Sequence, residues 1–296
     1  MDVRAALKQA IAQLGETAVP SHTLAAELLL MHALGRGRAW LYAHTEEPLS
    51  PEVAAEYFGA VKKRASGVPT QHLTGKQEFW GLEFEVTPDV LIPRPETEHL
   101  VEVALDRLGL REAKNGRSQT TDGAGLEIAD VGAGSGCIAV ALARELPQAQ
   151  FYATDISSAA LAVARRNAER HGVASRIRFL ECNLLEGITH HQSRALDVIV
   201  SNPPYIGLRE RETLPREIRE HEPQIALFTG EDGMALYPTL IAQSAERLKP
   251  EGIVVLELGH DSLLKVWPLL EKSEWTNIGV THDLAGIPRV IAAERL

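Results

Sequence analysis

From about residue 126 onward the chain alternates strictly between strand signals and helix signals, and no other feature limits its possible folds so severely. Apolar runs near Leu126–Val131, Gln150–Thr154, Arg176–Glu181, Asp197–Ser201 and Gly252–Leu258 read as buried strands. Helical periods fall at about 137–146, 157–171, 233–249 and 261–272. That order predicts parallel βαβ units with right-handed crossovers. Two last strands, Trp275–Val280 and Arg289–Ala293, are joined by Thr281 to Pro288, a link too short for a crossover helix, so they must pair antiparallel. The expectation is an α/β fold whose parallel sheet carries one antiparallel strand at its end.

In such sheets ligands bind beyond the carboxyl ends of the strands. The first strand ends in Asp130-Val131-Gly132-Ala133-Gly134-Ser135-Gly136, whose glycines permit a tight turn and bring backbone N–H groups and a helix N-terminus up to a ligand. The second ends at Asp155, where a carboxylate can accept hydrogen bonds from both hydroxyls of a ribose. Together they imply a nucleoside-containing cofactor and leave NAD and S-adenosylmethionine open. The third leads into Cys182-Asn183-Leu184-Leu185, and the fourth into Asn202-Pro203-Pro204-Tyr205. Two consecutive prolines hold φ at about −65° and remove two donors, so Asn202 and Tyr205 keep a set separation. The Asn202 side-chain oxygen and the Pro203 carbonyl can each accept one N–H of an incoming NH₂ group while the Tyr205 ring covers its flat face. Such a pocket suits an amide or an amino-substituted base.

Upstream, apolar positions recur at helical spacing: Val3, Leu7 and Ile11; Leu24, Leu28 and Met31; Val53, Tyr57 and Val61. They describe a small helical domain in which Ser21 and Ser50 are candidate N-caps. The stretch Gln77 to Val86 reads as a hairpin, and Ile92-Pro93-Arg94-Pro95-Glu96-Thr97-Glu98 leads into a helix reaching about Leu108, with Pro95 in its first turn. Arg111 to Gly125 is a polar loop. A formal net charge of −10 over 296 residues argues against a general nucleic-acid binder, which needs to neutralise phosphates. Cys137 and Cys182 are the two cysteines and show no disulfide framework or zinc spacing, so no metal is expected. With neither a signal-type apolar core nor a membrane-length run, the expected compartment is the cytoplasm.

The strand-four tetrapeptide combined with an antiparallel final strand resembles the class I S-adenosylmethionine-dependent methyltransferases. In those enzymes an Asp after strand three often accepts from the adenine amino group; Asn183 stands there, an uncharged acceptor, and Leu184 stands where relatives can carry an aromatic residue. The resemblance narrows further on His72-Leu73-Thr74-Gly75, Glu78-Phe79-Trp80, Leu91-Ile92-Pro93-Arg94-Pro95-Glu96-Thr97-Glu98, the glycine loop, Asn202-Pro203-Pro204-Tyr205 and Glu222-Pro223. In that order they resemble the peptide chain release factor glutamine methyltransferases, the PrmC/HemK family.

The resemblance implies a Rossmann-like seven-stranded methyltransferase domain at 93–296, a substrate-recognition helical domain at 1–70 and a β-hairpin linker at 71–92. It implies methylation of N5 of the glutamine in the Gly-Gly-Gln loop of class 1 release factors, by a monomer that does not contact nucleic acid directly. Asn202, Pro203, Pro204 and Tyr205 would then carry catalysis. Gly132, Ala133, Gly134, Ser135, Gly136, Asp155, Asn183, Leu184 and Asn202 would bind S-adenosylmethionine. Two rivals stand beside it: an N6-adenine-type nucleic-acid methyltransferase, because adenine offers the same NH₂ geometry, and a nucleoside-binding module without turnover.

Overall fold

The computed structural model describes residues 1–17, 19–109, 122–188, 195–271 and 274–296. Most of the loop expected at 111–125 and the end of the helix expected at 261–272 therefore lie outside the described residues. The chain divides into two compact units, Met1–Lys76 with Pro215–His221, and Gln77–Leu214 with Glu222–Leu296.

The first unit is built from the helices Val3–Gly15, His22–Leu34, Arg38–Ala43, Pro51–Ala65 and Thr70–Thr74, with the short helix Arg216–His221 inserted from far along the chain. Asp2 caps the first helix by accepting from the Ala5 N–H at 2.8 Å, and Ser50 caps the fourth by accepting from the Val53 N–H at 3.3 Å. Ser21 differs from expectation: it sits at φ 49° and its side chain makes no capping bond. The expected apolar stripe of the second helix is also out of phase. Ala25, Ala26, Leu29 and Leu30 are buried, whereas Leu24 is 42% exposed. That helix is apolar almost all round, so spacing alone does not select its inward face. Buried Arg64 donates to the Val68 carbonyl at 3.1 Å and pairs with Glu217, which ties the inserted helix into this unit.

In the second unit a hairpin comes first, β1 (Lys76–Phe79) and β2 (Leu82–Glu85), Lys76 itself being the last residue of the helical unit. Its two-residue turn, Trp80-Gly81, has positive φ at both positions, 54° and 69°, the backbone that matches the twist of a hairpin. A Trp there is strained. Glu98 accepts the Trp80 N–H at 2.8 Å and Glu145 the indole N–H at 2.8 Å, which holds the turn in place.

The main sheet follows, with β3 (Glu127–Val131), β4 (Gln150–Asp155), β5 (Ile177–Glu181), β6 (Leu196–Ser201), β7 (Leu248–Glu257), β8 (Trp275–His282) and β9 (Pro288–Arg295). Its order is β5-β4-β3-β6-β7-β9-β8. The first five strands pair in parallel, and β9 runs antiparallel to both β7 and β8. The antiparallel strand is last in sequence but sits inside the sheet, leaving β8 at the edge.

Both faces of the sheet are buried, as period-two alternation requires of a parallel sheet. Ile128, Val198, Val200 and Val255 face a core shared with Phe79 and Phe84 of the hairpin and with the helices Glu98–Arg107 and Cys137–Glu145. Ala129, Val131, Ile199, Val254 and Leu256 face the other core, shared with the helices Tyr237–Arg247 and Leu263–Leu270. No helix among the described residues is long and apolar enough to cross a membrane.

Candidate active site

Between β3 and β6 the chain order of the sheet reverses: β4 and β5 extend to one side and β7 to the other. A crevice opens at such a point. Val131 lies opposite Ser201 in the β3–β6 register, and the Ser201 hydroxyl donates to the Val131 carbonyl at 2.6 Å. The loop Gly132–Gly136 and the tetrapeptide Asn202–Tyr205 consequently leave the sheet side by side. Asp155 ends the neighbouring β4; its Oδ2 accepts the Gly134 N–H at 2.9 Å and its Oδ1 the Ser157 N–H at 2.9 Å.

The three glycines of the loop have positive φ but serve different ends. A Cβ on Gly136 would come 2.9 Å from Ala164 Cβ, so that glycine is needed for packing against the helix Ser158–Arg170. A Cβ on Gly132 or Gly134 would meet nothing within 4 Å, and both residues line the cleft. Close approach of a ligand to this backbone is therefore open. Buried Asn167 fixes the loop from behind, its NH₂ donating to the Ser135 carbonyl at 2.9 Å and the Glu85 carbonyl at 3.0 Å. Buried Asp130 accepts the Ala139 N–H at 2.9 Å. Burial pushes its carboxyl up to about 7; the bond from Ala139 opposes that shift and the charge of Asp155 adds to it.

The cleft measures about 280 Å³ and is lined by Gly132, Ala133, Gly134, Ser135, Asp155, Asn183, Leu184, Asn202, Pro203 and Pro204 among the residues expected from sequence. Gly136 and Tyr205 are not among its lining residues. Asn183 donates its NH₂ to Glu186 at 3.0 Å, which assigns the amide and leaves its oxygen as an acceptor. Leu184 adopts φ 48°, the left-handed conformation. Cys137 is buried and its thiol is pushed up to about 12 by that burial, so it is no nucleophile.

At the tetrapeptide, the Asn202 Nδ2 donates to the Thr97 hydroxyl oxygen at 3.2 Å, leaving the Asn202 Oδ1 as an acceptor. The Tyr205 hydroxyl donates to Glu257 Oε1 at 3.4 Å, and burial pushes that hydroxyl well above its usual range. Glu257, only 2% exposed at the end of β7, is pushed up to about 7 by burial, which the hydroxyls of Thr97 and Tyr205 partly offset. Another buried acid, Glu222, accepts the Ile92 N–H at 3.2 Å and pairs with Arg94, holding the Leu91–Thr97 wall of the cleft.

Residues 5–75 match the family model described as the PrmC N-terminal domain, and residues 118–220 the one described as the methyltransferase small domain. Over 295 residues, 100% of this chain and 99% of the relative, the sequence is 41% identical to the release factor glutamine methyltransferase of Koribacter versatilis. The chain belongs to the release factor glutamine methyltransferase family. The Deinococcus radiodurans release factor glutamine methyltransferase is 37% identical over the same shares of both chains. The N-terminal domain of human METTL16 superposes with a TM-score of 0.53 at 19% identity, covering 79% of this chain and 81% of that one. The last likeness is one of fold, and the sheet is that of the class I methyltransferases.

The sequence marks the two loops of this family member but assigns no role to Thr97, Glu222, Asn167 or Glu257. For Glu257 a signal existed: an acid directly follows the apolar run Ile253–Leu256. Thr97 and Glu222 lie inside the motifs Leu91–Glu98 and Glu222-Pro223, but nothing local in either motif singles them out.

Proposed function

We propose that this protein transfers a methyl group from S-adenosylmethionine to the side-chain amide nitrogen of the glutamine in the Gly-Gly-Gln loop of class 1 peptide chain release factors. One observation carries the chemistry: Asn202 has its NH₂ taken by Thr97, so its oxygen is the end available to a target amide. Release factor glutamine methyltransferases of two other bacteria match the chain over its full length.

An amide nitrogen is a poor nucleophile because its lone pair is delocalised into the carbonyl. The chain's contribution is positioning. Asn202 Oδ1 and the Pro203 carbonyl accept the two N–H bonds of the target and turn its lone pair toward the cofactor side of the cleft, while Tyr205, outside the cleft lining, anchors the segment through Glu257. Pro203 and Pro204 keep these acceptors at a set spacing without offering a competing donor. Gly132, Ala133, Gly134 and Ser135 would form the cradle for S-adenosylmethionine, with Gly136 packing the loop against the helix behind it; Asp155 would take the ribose hydroxyls, and Asn183 and Leu184 would border the adenine. The open Cβ directions at Gly132 and Gly134 fit that role. When bound, the cofactor supplies an electrophilic sulfonium methyl. No base is needed before transfer, since the proton can leave to water afterwards.

The helical residues 1–70 recognise the release factor, 71–92 link, and 93–296 carry out the chemistry, in a cytoplasmic monomer. Incubated with S-adenosylmethionine and a purified class 1 release factor, the protein is expected to add a single methyl group to the Gly-Gly-Gln peptide by mass spectrometry and none to DNA. Methyl transfer to DNA with an unmodified factor would select the N6-adenine reading instead. Deleting residues 1–70 is expected to lower kcat/KM for the intact factor at least about tenfold while calorimetric S-adenosylmethionine affinity persists. Full efficiency in the truncated protein would remove the recognition role.

A further inference from the structure

We infer that Ile225 and Phe228 are specificity-determining residues, forming a fixed apolar wall that favours a main chain without a Cβ next to the target glutamine. This deepens the function proposed above and rests on it. The cleft lining divides by what its parts can hold. Gly132–Ser135, Asp155, Asn183 and Leu184 are allotted to the cofactor, and Asn202 and Pro203 to the target amide. Among what remains, Ile225, Ala226, Phe228 and Thr229 come from one segment. Leu227 of that segment is buried, but Ile225 is 57% exposed, so the core does not use its side chain. A lone exposed isoleucine means little by itself. This one lines the cleft together with a phenylalanine.

The wall is fixed at both ends and in the middle. Buried Glu222, which begins the segment, accepts the Ile92 N–H at 3.2 Å and pairs with Arg94. Directly after the tetrapeptide, Ile206 and Phe228 form a parallel bridge: the Ile206 N–H donates to the Leu227 carbonyl at 3.1 Å, and the Thr229 N–H to the Ile206 carbonyl at 3.0 Å. The Leu208 N–H donates to the Gly230 carbonyl at 3.0 Å. At the far end Gly233 lies so close to the Tyr205 carbonyl that a Cβ there would collide with it, and a Cβ on Gly207 would come 2.5 Å from the Glu231 carbonyl oxygen. The segment is thus seated on the backbone that follows Asn202 and Pro203, which sets the distance of the wall from those two acceptors. Isoleucine adds stiffness, since its branched Cβ restricts χ1. Neither side chain carries a hydrogen-bonding group, so the wall reads shape alone. Beside it a glycine passes, whereas the methyl group of an alanine meets carbon that cannot back away. One methyl group in such a place is worth at least about tenfold in kcat/KM.

The test measures methylation of intact release factors carrying either Gly-Gly-Gln or Gly-Ala-Gln, and its readout is the ratio of the two kcat/KM values. The parent protein is expected to favour the glycine loop at least about tenfold. Ile225→Ala and Phe228→Ala are each expected to lower that ratio at least about threefold, with calorimetric S-adenosylmethionine affinity within about twofold of the parent. Any strain that alanine imposes on the substrate loop itself is common to parent and variants and cancels in the comparison. Only a wall that is read changes the ratio. Ile225 is exposed, so its truncation leaves the core intact, and Ile225→Ala decides by itself should Phe228→Ala fail to fold. A parental ratio near one, or a ratio that Ile225→Ala leaves unchanged, overturns the inference alone, because methylation of the Gly-Gly-Gln factor keeps the proposed function standing. Failure of the parent to methylate that factor overturns both.

Discussion

Asn202→Ala is expected to slow single-turnover methylation of release factor by roughly 10²–10³-fold, about 3 kcal/mol in the barrier, the usual consequence of losing one preorganised polar group at a reacting centre. The side chain is half-buried, held on one side by Thr97 and open to the cleft on the other, so truncation leaves a target N–H with water or nothing in place of Oδ1. Folding should survive, because the strand before it stays paired with β3 and β7. Cofactor affinity measured by calorimetry should change little, which separates the effect from loss of the cradle. Asn202→Asp is the sharper variant. It preserves the shape and both acceptors but brings a negative charge beside the amide and removes the NH₂ that meets Thr97, so a substantial loss is expected despite retained acceptors. Parental rates in the Ala variant would mean that the tetrapeptide only ends a strand.

How far the sequence could be read follows from where the information resides. Buried parallel strands such as Asp197–Ser201 announce themselves by β-branched apolar runs, and the short link before β9 forces its direction; both are local facts. Helix His22–Leu34 was legible as a helix but not in its inward face, because leucines and alanines occupy eight of its thirteen positions, spread around the helix, and leave the phase to tertiary packing. The short helices Gln224–Leu227 and Arg216–His221 carry too few residues for a periodic signal. In the site, the glycine loop and the Asn-Pro-Pro-Tyr segment were visible because each is contiguous. Thr97 was not, since its bond to Asn202 spans 105 residues of sequence, and neither was Glu222, whose partners Ile92 and Arg94 lie far upstream. The insertion of Pro215–His221 into the helical unit is likewise a tertiary event, held by Arg64 and Glu217.

Gly134→Val is expected to weaken S-adenosylmethionine binding at least about 10²-fold, near 2.7 kcal/mol, while leaving a folded protein. The space decides the first half. A Cβ at this position meets no protein atom within 4 Å and projects from a residue lining the cleft, so a branched side chain occupies volume assigned to the ligand rather than to the core. Backbone conformation limits the second half: φ is 53°, a region that costs an L-residue roughly 1–2 kcal/mol and a β-branched one more. Gly134→Ala carries most of that strain with little of the bulk, so the difference between the two variants in a calorimetric titration isolates obstruction of the cofactor. Gly136 supplies the opposite case. Its Cβ would press on Ala164 at 2.9 Å, so Gly136→Ala should lower the melting temperature, with any loss of affinity following from the displaced loop. A Val variant at 134 that is folded by circular dichroism and binds S-adenosylmethionine as tightly as the parent would show that the cofactor does not lie over this loop. The assignments of Asp155 and Asn183, which depend on the same placement, would then have to be moved with it.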